Sequence, residues 1–295
     1  MKITRMDLAD TGSPTGLVTK ILSVEKEIAI PVPIEELALQ LDIEKIAPLE
    51  TAGFEGGLLT DEDRSTGIIL VNQAASGGRR RFTIGHELGH FLMVTHRPVE
   101  QGKFLCSRAD MANWSLDQTD RYARMEAEAN EFSGLILMPP PATRKFIPKG
   151  DPTLQHVPMM ARHFDVSKEA AARAYARYHP EKIAVVVIKD GIVRRVHKRP
   201  TFPWVSVPYG KPVPRASTFY RRDQRERVAS ELLQIIPEHW VELKSGQRAE
   251  LFEQMYPQHD GYALLMLWLE IEEAEEIDDE RTSKQRFQDQ QRRWR

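Results

Sequence analysis

The stretch that decides the fold runs Phe82-Thr83-Ile84-Gly85-His86-Glu87-Leu88-Gly89-His90-Phe91-Leu92. Ile84, Leu88, Phe91 and Leu92 recur at i, i+4, i+7 and i+8, the apolar stripe of an amphipathic helix. Each helical residue advances about 100°, so His86 and His90 lie about 40° apart on the wheel and both imidazoles can converge on one ion. Glu87, one step round, can address a water on that ion. Neutral imidazoles hold Zn²⁺ through nitrogen, a catalytic zinc keeps one position open, and a carboxylate beside it takes a proton from water. His86 and His90 are therefore candidate metal ligands and Glu87 a candidate catalytic base for amide hydrolysis. The bland alternative, two surface histidines on a plain helix, fits poorly with the apolar flank.

A third protein ligand is needed, and two kinds compete. His96 follows His90 by six residues, a spacing that elsewhere relies on a helix-breaking glycine three residues after the second histidine; here that position is Met93, which continues a helix. The other source is the helix expected over 120–137, which contains Met125-Glu126-Ala127-Glu128-Ala129-Asn130-Glu131-Phe132. On its wheel Glu126 falls inside the apolar arc of Tyr122, Met125, Ala129, Phe132 and Ile136, Glu128 lies about 40° beyond Phe132, and Glu131 faces away. A carboxylate on a buried face needs a reason to be there, and a metal is one. The wheel favours Glu126, with Glu128 and His96 as alternatives. Asn130, one turn after Glu126, is placed to hold a ligand histidine.

Outward from this core, residues 28–72 read as short strands around one helix at Ile34–Leu41 that starts just after Pro33. Gly67 to Asn72 is the strand preceding the histidine helix, and we expect it to be an edge along the cleft, where it can pair with an extended substrate. Arg79, Arg80 and Arg81 follow in a loop at the helix mouth, unfavourable for the helix dipole unless solvent or a carboxylate compensates. Pro139-Pro140-Pro141 ends the second helix. After the linker Pro148 to Pro152 come helices at Pro158–Phe164 and, N-capped by Ser167, at Lys168–Tyr178. Their spacing resembles a helix-turn-helix, and Lys168, Arg173 and Arg177 could meet phosphates; the near-neutral chain favours a brace or partner-docking role over DNA binding. Ile183 to Ile188 and Ile192 to Val196, joined across Asp190-Gly191, read as a hairpin. Val228–Ile236 reads as helical, Tyr262–Ile271 as extended, and everything past Glu272 as a solvated charged tail.

Composition narrows the function classes. The 295 residues carry 41 Lys+Arg against 43 Asp+Glu, a formal net charge of −2, which lacks the basic excess of a protein built mainly to grip nucleic acid. The single cysteine, Cys106, has no internal disulfide partner and reads as inert packing rather than a redox switch. His156 and His163 read as packing or surface residues. The N-terminus shows no signal-peptide pattern and no apolar run reaches membrane-spanning length, so a cytoplasmic location is expected.

Arg81-Phe82-Thr83-Ile84-Gly85-His86-Glu87-Leu88-Gly89-His90-Phe91, followed by Glu126-Ala127-Glu128-Ala129-Asn130-Glu131-Phe132 and Leu135-Ile136-Leu137-Met138-Pro139, resembles the ImmA/IrrE family of metallo-endopeptidases across Pro31 to Pro139. The resemblance implies zinc on His86, His90 and Glu126, and a substrate that is a helix-turn-helix repressor of stress-response or mobile-element genes. The linker, the turn to a β pattern after Pro180 and the charged end divide an α+β chain into 1–150, 151–180, 181–271 and a charged tail over 272–295; the resemblance implies that the first three are a zincin-like metallopeptidase domain, a helix-turn-helix-like segment and a C-terminal α/β, GAF-like regulatory unit. A second reading, a non-hydrolytic zinc-containing regulator acting by partner or DNA binding, has no use for Glu87.

Overall fold

The computed structural model describes residues 1–50, 53–97, 102–112, 120–221, 227–244 and 247–271; Trp114 and the charged tail lie outside them. The architecture is mixed α+β. In chain order its elements are α1 (Pro14–Val24), α2 (Ile34–Gln40), β1 (Ile43–Leu49), β2 (Phe54–Thr60), β3 (Gly67–Asn72), α3 (Gly77–Leu92), β4 (Lys103–Ser107), α4 (Arg121–Leu137), α5 (Pro140–Phe146), α6 (His156–Phe164), α7 (Lys168–Tyr178), β5 (Ile183–Lys189), β6 (Ile192–Lys198), β7 (Trp204–Val205), β8 (Leu233–Ile235), β9 (Val241–Glu242), β10 (Ala249–Pro257) and β11 (Tyr262–Ile271).

The first sheet has the order β1-β3-β2-β4, with β1 and β3 parallel and the other pairs antiparallel. This corrects the reading of Gly67 to Asn72 as an edge: β3 is hydrogen-bonded on both sides, and β4 is the edge that faces the site. Strand order is a nonlocal property that the apolar run of β3 does not carry. Ile69 and Val71 of β3, Leu58 of β2, and Ile84, Leu88 and Phe91 of α3 pack with α4 residues Ala129, Phe132 and Ile136 into one buried core.

α3 starts at Gly77, one and a half turns before the expected start, so the three arginines lie within its first turns rather than in a loop. Arg80 pairs with Glu35 at 3.1 Å and Arg81 with Asp165 at 3.3 Å, the compensation that a cationic helix start requires. α1 replaces what sequence reading passed over: Ser13 caps it by accepting from Gly16 N, and Pro14 stands at its first position. α5 likewise follows Pro139 directly, so the proline run that ends α4 also starts a helix.

β5, β6, β8, β10 and β11 form an antiparallel sheet in the order β6-β5-β11-β10-β8. Alternate residues face two separate cores: Ile183, Val185, Val187, Leu264, Met266 and Trp268 pack on α5 to α7, while Ala184, Val186, Ile188, Leu265 and Leu267 face Phe219 and Trp240. Residues 228–236, expected as helix, hold β8 instead, where Leu233 and Ile235 pair with Glu253 and Leu251. Glu253 is fully buried and pins the covering loop, accepting from Ser217 Oγ at 2.6 Å, Thr218 N at 2.6 Å, Thr218 Oγ1 and Trp240 Nε1 at 2.8 Å. Among the described residues no helix is long and apolar enough to cross a membrane.

Candidate metal centre

Two glycines set the distance between α3 and α4. A Cβ on Gly85 would come within 2.6 Å of Ser133 Oγ, and one on Gly89 within 3.1 Å of the Phe132 ring. Their absence lets the helices approach closely along the face that carries His86 and His90. Gly56 does the same for β2: a Cβ there would meet Glu87 Oε1 at 2.6 Å. The catalytic-base candidate therefore lies under strand backbone rather than under a side chain.

This close approach brings His86, His90 and Glu126 together. Nε2 of His86 lies 3.1 Å from Nε2 of His90, 3.2 Å separates His86 Nε2 from Glu126 Oε2, and 3.4 Å separates His90 Nε2 from Glu126 Oε1. Donors about 2.0–2.1 Å from a tetrahedral zinc lie about 3.3 Å from one another, so all three separations suit a common ion. All three side chains are buried, and Glu126 Oε2 has no hydrogen-bond partner there. An isolated trio of this kind is costly without a cation, so the residues present fit the group.

The outer partners fix which ring nitrogen each histidine offers. Asn130 Oδ1 lies 2.9 Å from His86 Nδ1, and its amide nitrogen donates to Asp110 O at 3.1 Å, which orients the carboxamide. His86 Nδ1 must then carry the proton, leaving Nε2 to bind. His90 Nδ1 faces His96 Nδ1 at 2.9 Å, and His96 Nε2 faces Glu128 Oε2 at 2.9 Å. A carboxylate only accepts, so His96 donates from Nε2, accepts at Nδ1, and obliges His90 to donate from its own Nδ1. The two residues that sequence reading kept as alternative ligands, His96 and Glu128, instead form a chain behind His90. Burial, with His90 beside it, pushes His96 down to about 4, which keeps it neutral for this task.

Glu87 is fully buried, and its Oε1 has no hydrogen-bond partner. Burial pushes its carboxyl up to about 8, only partly offset by His86. Burial also opposes ionisation of Glu126, but the two histidines outweigh it and hold that carboxyl well below the ordinary range.

Two contributors carried no clear sequence signal. Arg64, at a left-handed position before β3, donates from Nη1 to His90 O at 3.3 Å and Met93 O at 3.2 Å and from Nη2 to His96 O, tying off the last turn of α3. Cys106 on β4 points into the site, its Sγ 3.8 Å from His90 Nε2 and 3.9 Å from Glu87 Oε2. Ligand atoms of His86, His90, Cys106 and Glu126 all lie within 4.8 Å of one another. The basic residues of the helical pair are engaged elsewhere: Arg177 bonds Glu131 of α4 at 2.6 Å, Lys168 lies over Tyr256, and Arg173 lines a cavity of about 390 Å³ between α3, α7 and β6. His156 faces Tyr175 OH at 3.2 Å and His163 stacks on Phe146, so neither approaches the centre.

Comparison with known proteins addresses the same region. Residues 46–175 match the family model described as the IrrE N-terminal-like domain of peptidase M78. The radiation response metalloprotease IrrE of Deinococcus radiodurans is 26% identical over 129 residues, 44% of this chain and 37% of that protein. The match thus spans little more than a third of that relative's length. A solved structure of a Mycobacterium tuberculosis transcriptional regulator aligns at TM-score 0.49 and 14% identity, over 80% of this chain and 68% of that one.

Proposed function

We propose that the chain, whose residues 46–175 are similar to the IrrE N-terminal-like domain, is a zinc-dependent endopeptidase of the ImmA/IrrE type with a zincin-like domain, that His86, His90 and Glu126 hold the metal, and that Glu87 is its general base. The observation that carries this reading is the buried Glu87 carboxylate with an unpartnered oxygen beside three converging donors. Bound there, zinc would polarise a scissile carbonyl and make water more acidic. Glu87 takes the proton of the attacking water at a carboxylate oxygen and delivers it to the departing amine nitrogen. Burial raises this carboxyl to about 8, and a neighbouring cation favours its ionised form, which suits a group that must both accept and donate. The outer edge of β4 runs beside these groups and can pair with an extended substrate backbone.

The substrate in this reading is a protein, a helix-turn-helix repressor whose cleavage relieves repression of stress-response or mobile-element genes. The segment over 151–180 then braces the peptidase against a C-terminal, GAF-like regulatory sheet, since the cations expected to meet DNA are turned to other tasks. Incubating the zinc-loaded protein with a repressor encoded beside it and mapping new termini tests the substrate. Glu87→Gln tests the base: it is nearly isosteric and should keep the metal, while cleavage falls by about 10²–10⁴. A variant that cleaves like wild type removes Glu87 from the mechanism.

A further inference from the structure

Strand alternation along β4 turns Phe104 and Cys106 inward, both buried, while Lys103, Leu105 and Ser107 lie on the other face. Phe104 stacks on the His90 ring, with centroids 4.9 Å apart, and so fixes how β4 lies across α3. Cys106 pairs with Gly56, the residue whose missing side chain leaves room for Glu87. A cysteine that merely fills space faces carbon. Here the near partners of Sγ are a ligand nitrogen and the candidate base.

The distances suit coordination. A sulfur about 2.3 Å from zinc and a nitrogen about 2.0–2.1 Å from it stand about 3.6 Å apart in a tetrahedron. Cys106 Sγ and His90 Nε2 stand 3.8 Å apart, and the wider separations among the four donors, up to 4.8 Å, close as the donors draw in on an ion. An independent feature also points to a cation at this spot: Glu87 Oε1 and Glu126 Oε2 are both buried and without hydrogen-bond partners.

We propose that Cys106 Sγ is a fourth protein donor, so that the chain folds with a closed Cys-His-His-Glu shell in the position that a working zinc peptidase leaves open. This rests on the metal-site reading above and deepens it. On coordination the thiol proton passes to solvent and a sulfur electron pair goes to the ion. Four protein donors make the shell of a structural zinc site. The sulfur then competes with water for the ion, and Glu87 acts only while the sulfur is displaced.

The test uses the full-length chain loaded with one zinc, and separately with cobalt(II). X-ray absorption at the zinc edge should show one sulfur scatterer at about 2.3 Å. The cobalt form should show a near-ultraviolet thiolate-to-cobalt charge-transfer band, absent in Cys106→Ser and Cys106→Ala. Both variants should hold zinc more than about tenfold more weakly in chelator competition, since even the outer partners of ligands are worth about 10–100-fold. Stoichiometric metal with only nitrogen and oxygen neighbours and no charge-transfer band overturns the proposal and leaves the three-ligand site standing. Failure of the wild-type chain to bind either metal overturns both. The absorption measurement needs no variant, so misfolding of a substitution cannot blunt it.

Discussion

Replacing His96 by Phe probes the chain that runs Glu128, His96, His90. The two Nδ1 atoms are 2.9 Å apart, and His90 can offer Nε2 to a metal only while its Nδ1 carries a proton that His96 accepts. Phe keeps an aromatic ring, somewhat larger than imidazole, at a fully buried position but supplies no acceptor. The His90 N–H is then stranded, at a cost of about 1–3 kcal/mol. At about 1.4 kcal/mol per factor of ten, that is about 5–150-fold in metal affinity, overlapping the 10–100-fold seen when outer partners of metal ligands are removed. The assay is zinc competition against a chromophoric chelator at neutral pH, with far-ultraviolet circular dichroism as a check on folding. Glu128→Gln is the milder control, because its carboxamide oxygen can still accept from His96 Nε2. A zinc affinity for folded His96→Phe within about twofold of wild type would refute the tautomer argument, since no stranded-donor cost would then be visible.

Further expectations concern the ligand set, the helix contact and the C-terminal cap. Glu126→Ala should weaken zinc more than His96→Phe does, in the same competition assay, because it removes a donor rather than its support. Gly85→Ala gains about 1 kcal/mol of helix propensity but forces a methyl against the Ser133 side chain and backbone; overpacking at about 1–3 kcal/mol should win, lowering both the melting temperature and zinc affinity. Glu253→Leu strands the Ser217, Thr218 and Trp240 donors and should destabilise by at least about 3 kcal/mol in urea unfolding, at about 1–3 kcal/mol for each stranded donor before relaxation. Deleting everything after Pro180 removes the sheet that covers Ala171, Ala172 and Tyr175, so that truncation should aggregate, as size-exclusion chromatography will show.

Sequence periodicity located α3, α4, α7 and the β5–β6 hairpin because each has a strong local signature: a stripe at helical spacing, an N-cap serine, an Asp-Gly turn. The wheel also placed Glu126 and Asn130 on one face of α4, where the structure sets them against His86 and His90. What escaped was decided by partners distant in the chain. The apolar residues of 228–236 suit a helix or a strand equally, and only pairing with β10 selects the strand. β3 reads the same whether central or at an edge. The start of α3 at Gly77-Gly78 is a poor helix by propensity and is held by ion pairs to Glu35 and Asp165. Cys106 lies 16 residues beyond His90, and only the sheet returns it to the histidines. α1 and α5 had readable local signals, Ser13 before Pro14 and the proline run at 139–141, the first within a stretch whose Gly16 and Lys20 interrupt the apolar pattern.

The turn between α6 and α7 has a mechanical consequence. Asp165 grips Arg81, a Cβ on Gly78 would meet the Val166 and Ser167 backbone at about 3.4 Å, and α7 rests on β5 and β6. α3 is thus clamped at its start by this turn and at its end by Arg64. Arg177 of α7 also bonds Glu131 of α4 at 2.6 Å, so the helix that carries Glu126 is tied to the same element. A displacement of α7 with the sheet therefore pulls on both helices that bear the candidate donors.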